Sequence, residues 1–381
     1  MKSFLMPTGL ALVLASVAAV NSQAGPALQL KPLSSDCSCC SDGTPAASGK
    51  ASGKTSGKTA AVFPTHGSIE RLEPALDALL APDAHLEKLA DGFNWSEGPT
   101  WLPSEKAVVF SDVPENQVYR WSERDGLSVF LQPSGYTGEL IKFREQGSNG
   151  LTTDRQGHLV LCQHGDRQIA TLVKRNGVLG TFRPLVSHFG PRRLNSPNDL
   201  VFSRQGALYF TDPPYGLEGV NQSPLKELMF NGVYLRRPSG EVVLLTRELT
   251  FPNGIALSPD EKTLYVNVSD PARPVVMAYD VQADGTVAHG RVFFDTAALA
   301  ARGRKGLPDG LKVDAQGNLW ATGPGGVLIL SPSGKHLGTL MTGEATGNCA
   351  WGDDGSTLYI TADMYLLRVR TLTRGSGAAG R

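Results

Sequence analysis

Short apolar segments alternate with polar turns along most of the chain, and one such hairpin recurs six times. Each copy has a polar Glu, Asn or Asp, a short apolar strand, a turn rich in Asp, Gly and Ser, and a second apolar strand. The copies begin at Glu97, Asn149, Asn198, Asn253, Asp309 and Asn348. The similar distance from each starting residue to the next indicates a repeat architecture with one supersecondary unit per copy.

Further apolar runs fill the intervals between the hairpins, which brings each repeat to about four short strands. These runs lie at 118–122, 169–174, 232–237, 242–246, 276–281 and 327–332. Runs such as LYVNV are apolar on both faces, as expected for strands that lie between two neighbouring sheets. About four strands in a repeat of roughly 40 to 50 residues predict an all-β, six-bladed β-propeller. We expect it to span residues 66–373, with a tail at 374–381.

The segment just before the first blade is predicted to add two elements to the propeller. Four leucines at helical spacing predict a short N-terminal helix over 68–80 that packs on the outside of the blades. These are Leu72, Leu76, Leu79 and Leu80. The HLEKLA segment that begins at His85 is predicted to be a strand that pairs with the last blade and closes the ring.

The first 65 residues stand outside the repeats and divide into two predicted segments. Residues 1–24 carry an early Lys, an apolar run and then small residues, which is typical of a cleavable signal peptide. The alternative is a membrane anchor, but the apolar run is short for a membrane span. Residues 25–65 are rich in Gly, Ser and Lys and predict a disordered leader. We therefore expect an exported protein, periplasmic or extracellular, that leaves the membrane after cleavage.

The five cysteines fall into two groups. Cys37, Cys39 and Cys40 cluster in the leader, where they could pair with each other or with a partner chain. Metal capture there would need more ligands than the segment offers. Cys162 and Cys349 lie in apolar strand patterns and are predicted to be inert core residues.

The charge balance narrows the class of partner. Lys and Arg together number 36, as do Asp and Glu, so no net field draws the chain to nucleic acid or to an anionic membrane. A small-molecule site or a protein partner is expected instead. The sequence leaves the oligomeric state open.

The six polar residues at the repeat starts are predicted to meet at one mouth of the central channel, because the first strand of each blade lines that channel. Asn-Gly and Asp-Gly pairs are also common turn formers, but six in the same phase favour a shared site. Carboxylates and amides in a low-dielectric channel need a counter-charge, and Glu97 and Asp309 together balance one divalent cation. The all-oxygen set suits Ca²⁺ best, with Mg²⁺, Mn²⁺ and Zn²⁺ as alternatives.

The second strand of each hairpin runs back to the same mouth, so its end also faces the predicted site. This geometry places His164 and Tyr215 above the metal, where His164 could orient a substrate hydroxyl or exchange a proton. The alternatives are a histidine in a surface loop and an aromatic ring that only packs. The predicted substrate contacts are Asn149, His164, Asn198, Tyr215 and Asn348.

The chain resembles the senescence marker protein, gluconolactonase and luciferin-regenerating enzyme family, closest to its bacterial and fungal gluconolactonase-like branch. The resemblance covers about residues 68–370 and rests on the motifs SEGPTW, SPNDLVF with FTDPPYG, FPNGIALSPDEKTLYV and LPDGLKVD. It implies a six-bladed propeller with one catalytic divalent metal, commonly calcium, that hydrolyses sugar lactones or related esters. It also implies that Glu97, Asn253 and Asp309 are metal ligands, that Asn198 is a further ligand or substrate contact, and that Asp309 is the acid/base residue. Animal members carry an arginine two residues before the equivalent of Asn198, where this chain has Ser196.

The predicted function is metal-dependent hydrolysis of a sugar lactone such as glucono-1,5-lactone. The cation would polarise the carbonyl, and Asp309 would take a proton from the attacking water and return it to the leaving ring oxygen. Direct attack by Asp309 as a nucleophile is left open, whereas the chain has no Gly-x-Ser-x-Gly elbow for a serine hydrolase. One alternative substrate is another ester or a phosphotriester. The other alternative is a non-catalytic secreted propeller whose metal is structural and whose rim binds a protein.

Overall fold

The computed structural model describes residues 62–175 and 178–377, and these form an all-β propeller of six blades, which confirms the predicted fold class. The predicted signal peptide, the Cys37 to Cys40 cluster and the leader up to residue 61 lie outside the described residues. Two strands precede the first blade in sequence: β1 (Ser68–Arg71) and β2 (Glu87–Asp91).

Each of the first three blades is an antiparallel sheet of four strands that follow one another in chain order from the channel outward. Blade one contains β3 (Ser96–Leu102), β4 (Ala107–Asp112), β5 (Gln117–Ser122) and β6 (Gly126–Leu131). Blade two contains β7 (Ser148–Thr153), β8 (Leu159–Gln163), β9 (Gln168–Arg175) and β10 (Val178–Val186). A small ribbon of β11 (His188–Phe189) and β12 (Arg192–Arg193) follows. Blade three contains β13 (Leu200–Phe202), β14 (Leu208–Asp212), β15 (Gly232–Arg236) and β16 (Val242–Thr246).

The last three blades repeat this plan, but two of them also take in strands from the N-terminal segment. Blade four contains β17 (Pro252–Leu257), β18 (Thr263–Val268), β19 (Val275–Val281) and β20 (Val287–Asp295), followed by a helical turn, α1 (Ala297–Ala300). Blade five contains β21 (Leu311–Val313), β22 (Leu319–Gly323), β23 (Gly326–Leu330) and β24 (His336–Met341). Blade six contains β25 (Asn348–Gly352), β26 (Thr357–Ala362) and β27 (Tyr365–Arg370).

The ring is closed by β2, which is the outermost strand of blade six, as the HLEKLA segment predicted. It pairs antiparallel with β27, with Glu87 opposite Arg368. The buried Arg368 guanidinium donates to the carboxylates of Glu87 and Glu123, so a charge-assisted contact supports the backbone pairing. Within the segment predicted as leader, Phe63 packs against Trp121 of blade one.

The predicted helix over residues 68–80 is wrong in its extent. Residues Ser68–Arg71 form β1, which pairs with β24 and adds a fifth strand to blade five, because the edge of that blade offers free backbone partners. Only a single 3-10 turn at Pro74–Ala78 is helical. Three of the four leucines are nevertheless buried against blades five and six, and Leu72 is exposed.

The apolar core is divided among the blade junctions, with one cluster of buried side chains between each pair of neighbouring blades in the described part of the chain. Cys162 and Cys349 lie in two of these clusters as fully buried free thiols, which confirms the core placement. No helix among the described residues combines the length and the apolar character that crossing a bilayer requires.

The innermost strands approach one another closely around the channel axis, each contacting the next and β25 contacting β3. The N–H of Gly150 donates to the carbonyl of Asn198 at 2.8 Å, and that of Gly254 donates to the carbonyl of Asp309 at 3.0 Å. A Cβ on Gly150 would lie 2.6 Å from that oxygen of Asn198, and one on Gly254 would lie 2.2 Å from that of Asp309. The glycine after the polar residue is therefore required by the approach of the next blade.

Replacing Gly254 by Ala is expected to destabilise the propeller by about 1 to 3 kcal/mol, because the added methyl group overlaps the Asp309 carbonyl. The measurement is urea or thermal unfolding of the purified variant. Gly377→Ala is the matched control, since a Cβ at Gly377 meets no atom of the described residues within 4 Å. Equal stability of the two variants would contradict the assignment of Gly254 to a close contact.

Candidate active site

The six residues at the repeat starts lie in or next to the innermost strands. Four of them are within strands β3, β7, β17 and β25, whereas Asn198 and Asp309 each lie two residues before a strand. Five of the six are buried and Asp309 is partly buried. These six residues define the hub of the propeller. They are Glu97, Asn149, Asn198, Asn253, Asp309 and Asn348.

The acidic side chains at the hub lie close enough to affect one another's ionisation. Burial raises the pKa of Glu97 to about 8, and the charges of Asp199 and Glu145 add to the increase. Burial, followed by the charge of Glu97, holds the pKa of Asp309 well above its usual range. The N–H of Gly98 donates to Glu97 Oε2 at 2.9 Å and acts in the opposite direction. The hub thus collects carboxyl groups that cannot all ionise without a counter-charge.

Asn253 and the backbone of Asp309 are held by a local network from blade four. Asn267 Nδ2 donates to the Asp309 carbonyl at 2.7 Å. Asn253 Nδ2 donates to Ser269 Oγ at 2.9 Å, and that hydroxyl in turn donates to the carbonyl of Pro308. The remaining amide oxygen, Asn253 Oδ1, is buried and has no hydrogen-bond partner among the described residues. A buried oxygen in this state is suited to a cation or a donor group of a ligand.

Asn348 is occupied by a second polar network that crosses the channel. Its Nδ2 donates to Asp199 Oδ2 at 3.3 Å, and its Oδ1 accepts from Lys312 Nζ at 3.2 Å. Lys312 Nζ also lies 4.0 Å from Asp199 Oδ2. Asp199 therefore has a cation beside it. The structure places Asn348 in this network, which its predicted role as a substrate contact did not include.

Sequence reasoning did not assign Asp199 or Lys312 to the site, although each breaks a visible pattern. Asp199 follows Asn198 at a position where four of the other five polar residues are followed by glycine, namely Gly98, Gly150, Gly254 and Gly310. Lys312 is a charged residue inside the short strand β21, between Leu311 and Val313. A side chain that replaces a glycine, and a lysine in an innermost strand, are the two signals that could have identified this network.

His164 is a fully buried residue, so the alternative of a surface-loop histidine is wrong. Neither of its ring nitrogens has a hydrogen-bond partner among the described residues, and Nδ1 lies 3.6 Å from Glu145 Oε2. Burial lowers the pKa of His164 to about 3, so the ring is neutral at physiological pH. A neutral buried imidazole retains one donor and one acceptor for a ligand.

Tyr215 stacks on Phe251, with 5.6 Å between the ring centroids, and its hydroxyl is buried without a hydrogen-bond partner in the described residues. Burial raises the pKa of Tyr215, and the charge of Asp309 is the next largest cause. This effect places the phenol near Asp309. The ring both packs and presents a polar group to the hub.

Glu145 is a further acidic residue that the repeat pattern did not reveal, because it lies in the loop between β6 and β7. Its side chain is 14% exposed, and burial raises its pKa to about 7. Its charge contributes to the raised pKa of both Glu97 and Asp309, which places it near the hub.

The donor set at the hub fits a hard divalent cation. The two carboxyl groups of Glu97 and Asp309 have raised pKa values that a nearby positive charge would relieve, and Asn253 Oδ1 is an unpaired oxygen beside them. No three His, Cys, Asp or Glu side chains in the described ranges form a metal-binding group by themselves. A cation here would therefore depend on amide oxygens as well as carboxylates, as the Asn-rich hub predicts.

Fold and site together define a six-bladed propeller with an acidic, oxygen-lined site in its central channel. The chain belongs to the SMP-30/Gluconolactonase/LRE-like family, whose model matches residues 95–363. It is 40% identical over 322 residues to a gluconolactonase of Zymomonas mobilis, covering 82% of this chain and 88% of the relative. A solved gluconolactonase structure from Xanthomonas campestris is 31% identical with a TM-score of 0.70, covering 82% of this chain and 99% of that one. A pentonolactonase of Haloferax volcanii is 23% identical, covering 70% of this chain and 80% of the relative.

The raised pKa of Glu97 predicts a pH-dependent stability of the metal-free protein. Between its ordinary pKa of 4.5 and its folded value of about 8, the folded state binds more protons than the unfolded state, so stability falls as pH rises. The expected loss over this window is on the order of 3 kcal/mol. It is measured by thermal and urea unfolding in the presence of a chelator.

The control for this experiment is Glu97→Gln, which removes one ionisable group and is expected to flatten the pH dependence. Excess Ca²⁺ is expected to do the same for the unsubstituted protein, since a bound cation favours the ionised carboxylates. If the chelated protein is as stable at pH 8 as at pH 5, ionisation of the hub carboxyl groups does not destabilise the folded state, and the prediction is wrong.

Proposed function

We propose that the protein is a metal-dependent lactonase that opens a sugar lactone such as glucono-1,5-lactone. Family membership and close similarity to a gluconolactonase make the chain a gluconolactonase-like lactone hydrolase. The metal dependence and the roles of individual residues are the further content of the proposal. The observations that support them are the raised pKa values of Glu97 and Asp309 and the buried Asn253 Oδ1, which has no hydrogen-bond partner among the described residues.

Glu97, Asn198, Asn253 and Asp309 are the residues that would hold one divalent cation, and Ca²⁺ is the ion that best suits their oxygen donors. Such a cation, when bound, supplies Lewis acidity that polarises the lactone carbonyl and stabilises negative charge on its oxygen. The two carboxylates would balance its charge, and the amide oxygens would add neutral donors.

Asp309 is the general base and general acid of the proposed reaction. Its carboxylate accepts a proton from the water that attacks the carbonyl carbon, and the protonated group then donates that proton to the ring oxygen as the C–O bond breaks. The group must be ionised to begin this cycle. Burial raises the pKa of Asp309, so a nearby counter-charge would favour the ionised form that acts as the base.

The buried polar groups around Asp309 can orient the substrate without competing for its proton. His164 is neutral, and the pKa of Tyr215 is raised, so both remain uncharged hydrogen-bonding groups at physiological pH. Asn149 and Asn198 add further neutral amides around the channel. Because these groups are uncharged, a neutral lactone ring can bind against them without displacing an ion pair.

Asp309→Asn is expected to lower kcat for glucono-1,5-lactone by about 100-fold or more, because the amide cannot accept the proton. Hydrolysis is followed as acid release at constant pH, with and without a chelator, and chelation is expected to abolish the catalysed rate. Asp83→Asn serves as the matched control, since Asp83 is exposed on the surface. Full activity of Asp309→Asn or of the chelated protein would contradict the proposed mechanism.

A substrate panel separates lactone hydrolysis from the other chemistries that an oxygen-bound cation can support. We expect the highest kcat/KM for a hydroxylated lactone, with lower values for an aryl acetate and for a phosphotriester. Each rate is measured with the same chelator and Ca²⁺ conditions. A phosphotriester preferred over every lactone would replace the proposed substrate class, and inactivity on all three would favour a binding role.

A further inference from the structure

The loop that joins blade one to blade two reaches over to the DPPYG segment of blade three. The N–H of Arg144 donates to the carbonyl of Gly216 at 3.1 Å, and Arg144 Nη1 donates to the carbonyl of Tyr215 at 3.0 Å. The second contact joins residues that are 71 positions apart in the chain. The loop is thus attached at Tyr215, whose hydroxyl is buried and has no hydrogen-bond partner among the described residues.

Arg144 and Glu145 present a donor and an acceptor side by side. Arg144 Nη1 lies 2.7 Å from Glu145 Oε1, and the arginine side chain is 48% exposed, so part of it is accessible to a ligand. The other carboxylate oxygen, Glu145 Oε2, lies 3.6 Å from His164 Nδ1, which is too far for a hydrogen bond. That oxygen can accept one from a ligand.

The pair lies beside two residues predicted to contact the substrate, since Glu145 Oε2 is 3.6 Å from His164 Nδ1 and Arg144 Nη1 is 3.0 Å from the carbonyl oxygen of Tyr215. The charge of Glu145 contributes to the raised pKa of Tyr215 and of Asp309, so the carboxylate is near both groups. Ser196 does not supply a comparable group, because its hydroxyl donates to the carbonyl of Pro213 at 2.7 Å and accepts from the N–H of Gly216 at 2.9 Å. Arg144 and Glu145 are not among the hub residues assigned to the cation or to proton transfer.

We propose that Arg144 and Glu145 form a diol-binding pair that reads neighbouring hydroxyl groups on the substrate ring. This inference rests on the proposed lactonase function and names the feature by which the site selects its lactone. The carboxylate accepts a hydrogen bond from one hydroxyl while the guanidinium donates to the next, and both bonds are charge-assisted. A site built around such groups discriminates strongly against a ring that lacks the hydroxyls, because its polar groups are then left unpaired.

The experiment compares glucono-1,5-lactone with δ-valerolactone, which has the same ring size and no hydroxyl groups. For the unsubstituted protein, the ratio of the two kcat/KM values is expected to favour the hydroxylated lactone. Glu145→Gln and Arg144→Gln are each expected to reduce that ratio by about 10- to 100-fold, chiefly through KM. Glu241→Gln, an exposed glutamate on blade three, is the matched control and is expected to retain the ratio.

Binding of unreactive lactams separates this inference from the proposed function. Calorimetry with glucono-1,5-lactam and δ-valerolactam is expected to show tighter binding of the hydroxylated ring, and the preference is expected to fall in both variants. A protein that binds the hydroxylated lactam selectively but hydrolyses no lactone would overturn the proposed function and leave the diol-binding pair supported. Unchanged ratios and unchanged lactam preference in both variants would overturn the diol-binding pair.

Discussion

The close approach of neighbouring innermost strands is the constraint on which the rest of the structure depends. Gly150 and Gly254 donate their N–H groups to carbonyls of the next blade, and neither position has room for a Cβ. The polar residue before each glycine therefore stands at the channel, at the one place where six blades meet. A propeller that packs its apolar clusters at the blade junctions in this way also gathers oxygen atoms at its hub.

The electrostatic consequence is that the hub divides into two parts. Asp199 has Lys312 within 4.0 Å and accepts from Asn348, so its charge is compensated within the chain. Glu97 and Asp309 have no such cation beside them in the described residues, and their pKa values are raised accordingly. The first set is compensated by groups of the chain itself, whereas an added positive charge would favour the ionised form of the second. This contrast is the reason why the proposed cation site includes Glu97 and Asp309 but not Asp199.

The repeat in the sequence was sufficient to predict the six blades and the position of the polar residues at the innermost strands, because both follow from local periodicity. It was not sufficient for β1, since Ser68–Arg71 becomes a strand only through pairing with residues around Leu340, far along the chain. Asp199 and Lys312 were not predicted as site residues because they depart from the residue pattern of the repeat. Glu145 was missed because a connecting loop has no periodic partner in the other blades.

The difference between the repeated innermost strands and the connecting loops explains where substrate selectivity can reside in this architecture. The hub residues are tied to the backbone contacts between blades, so a change there alters packing, charge balance and chemistry together. The loop that carries Arg144 and Glu145 is held by contacts to the carbonyls of Tyr215 and Gly216, which are independent of the glycines at the hub. Such a loop can change its side chains while the innermost strands keep their register. A propeller of this kind can therefore keep one reaction at its axis and set the choice of substrate from the loops around it.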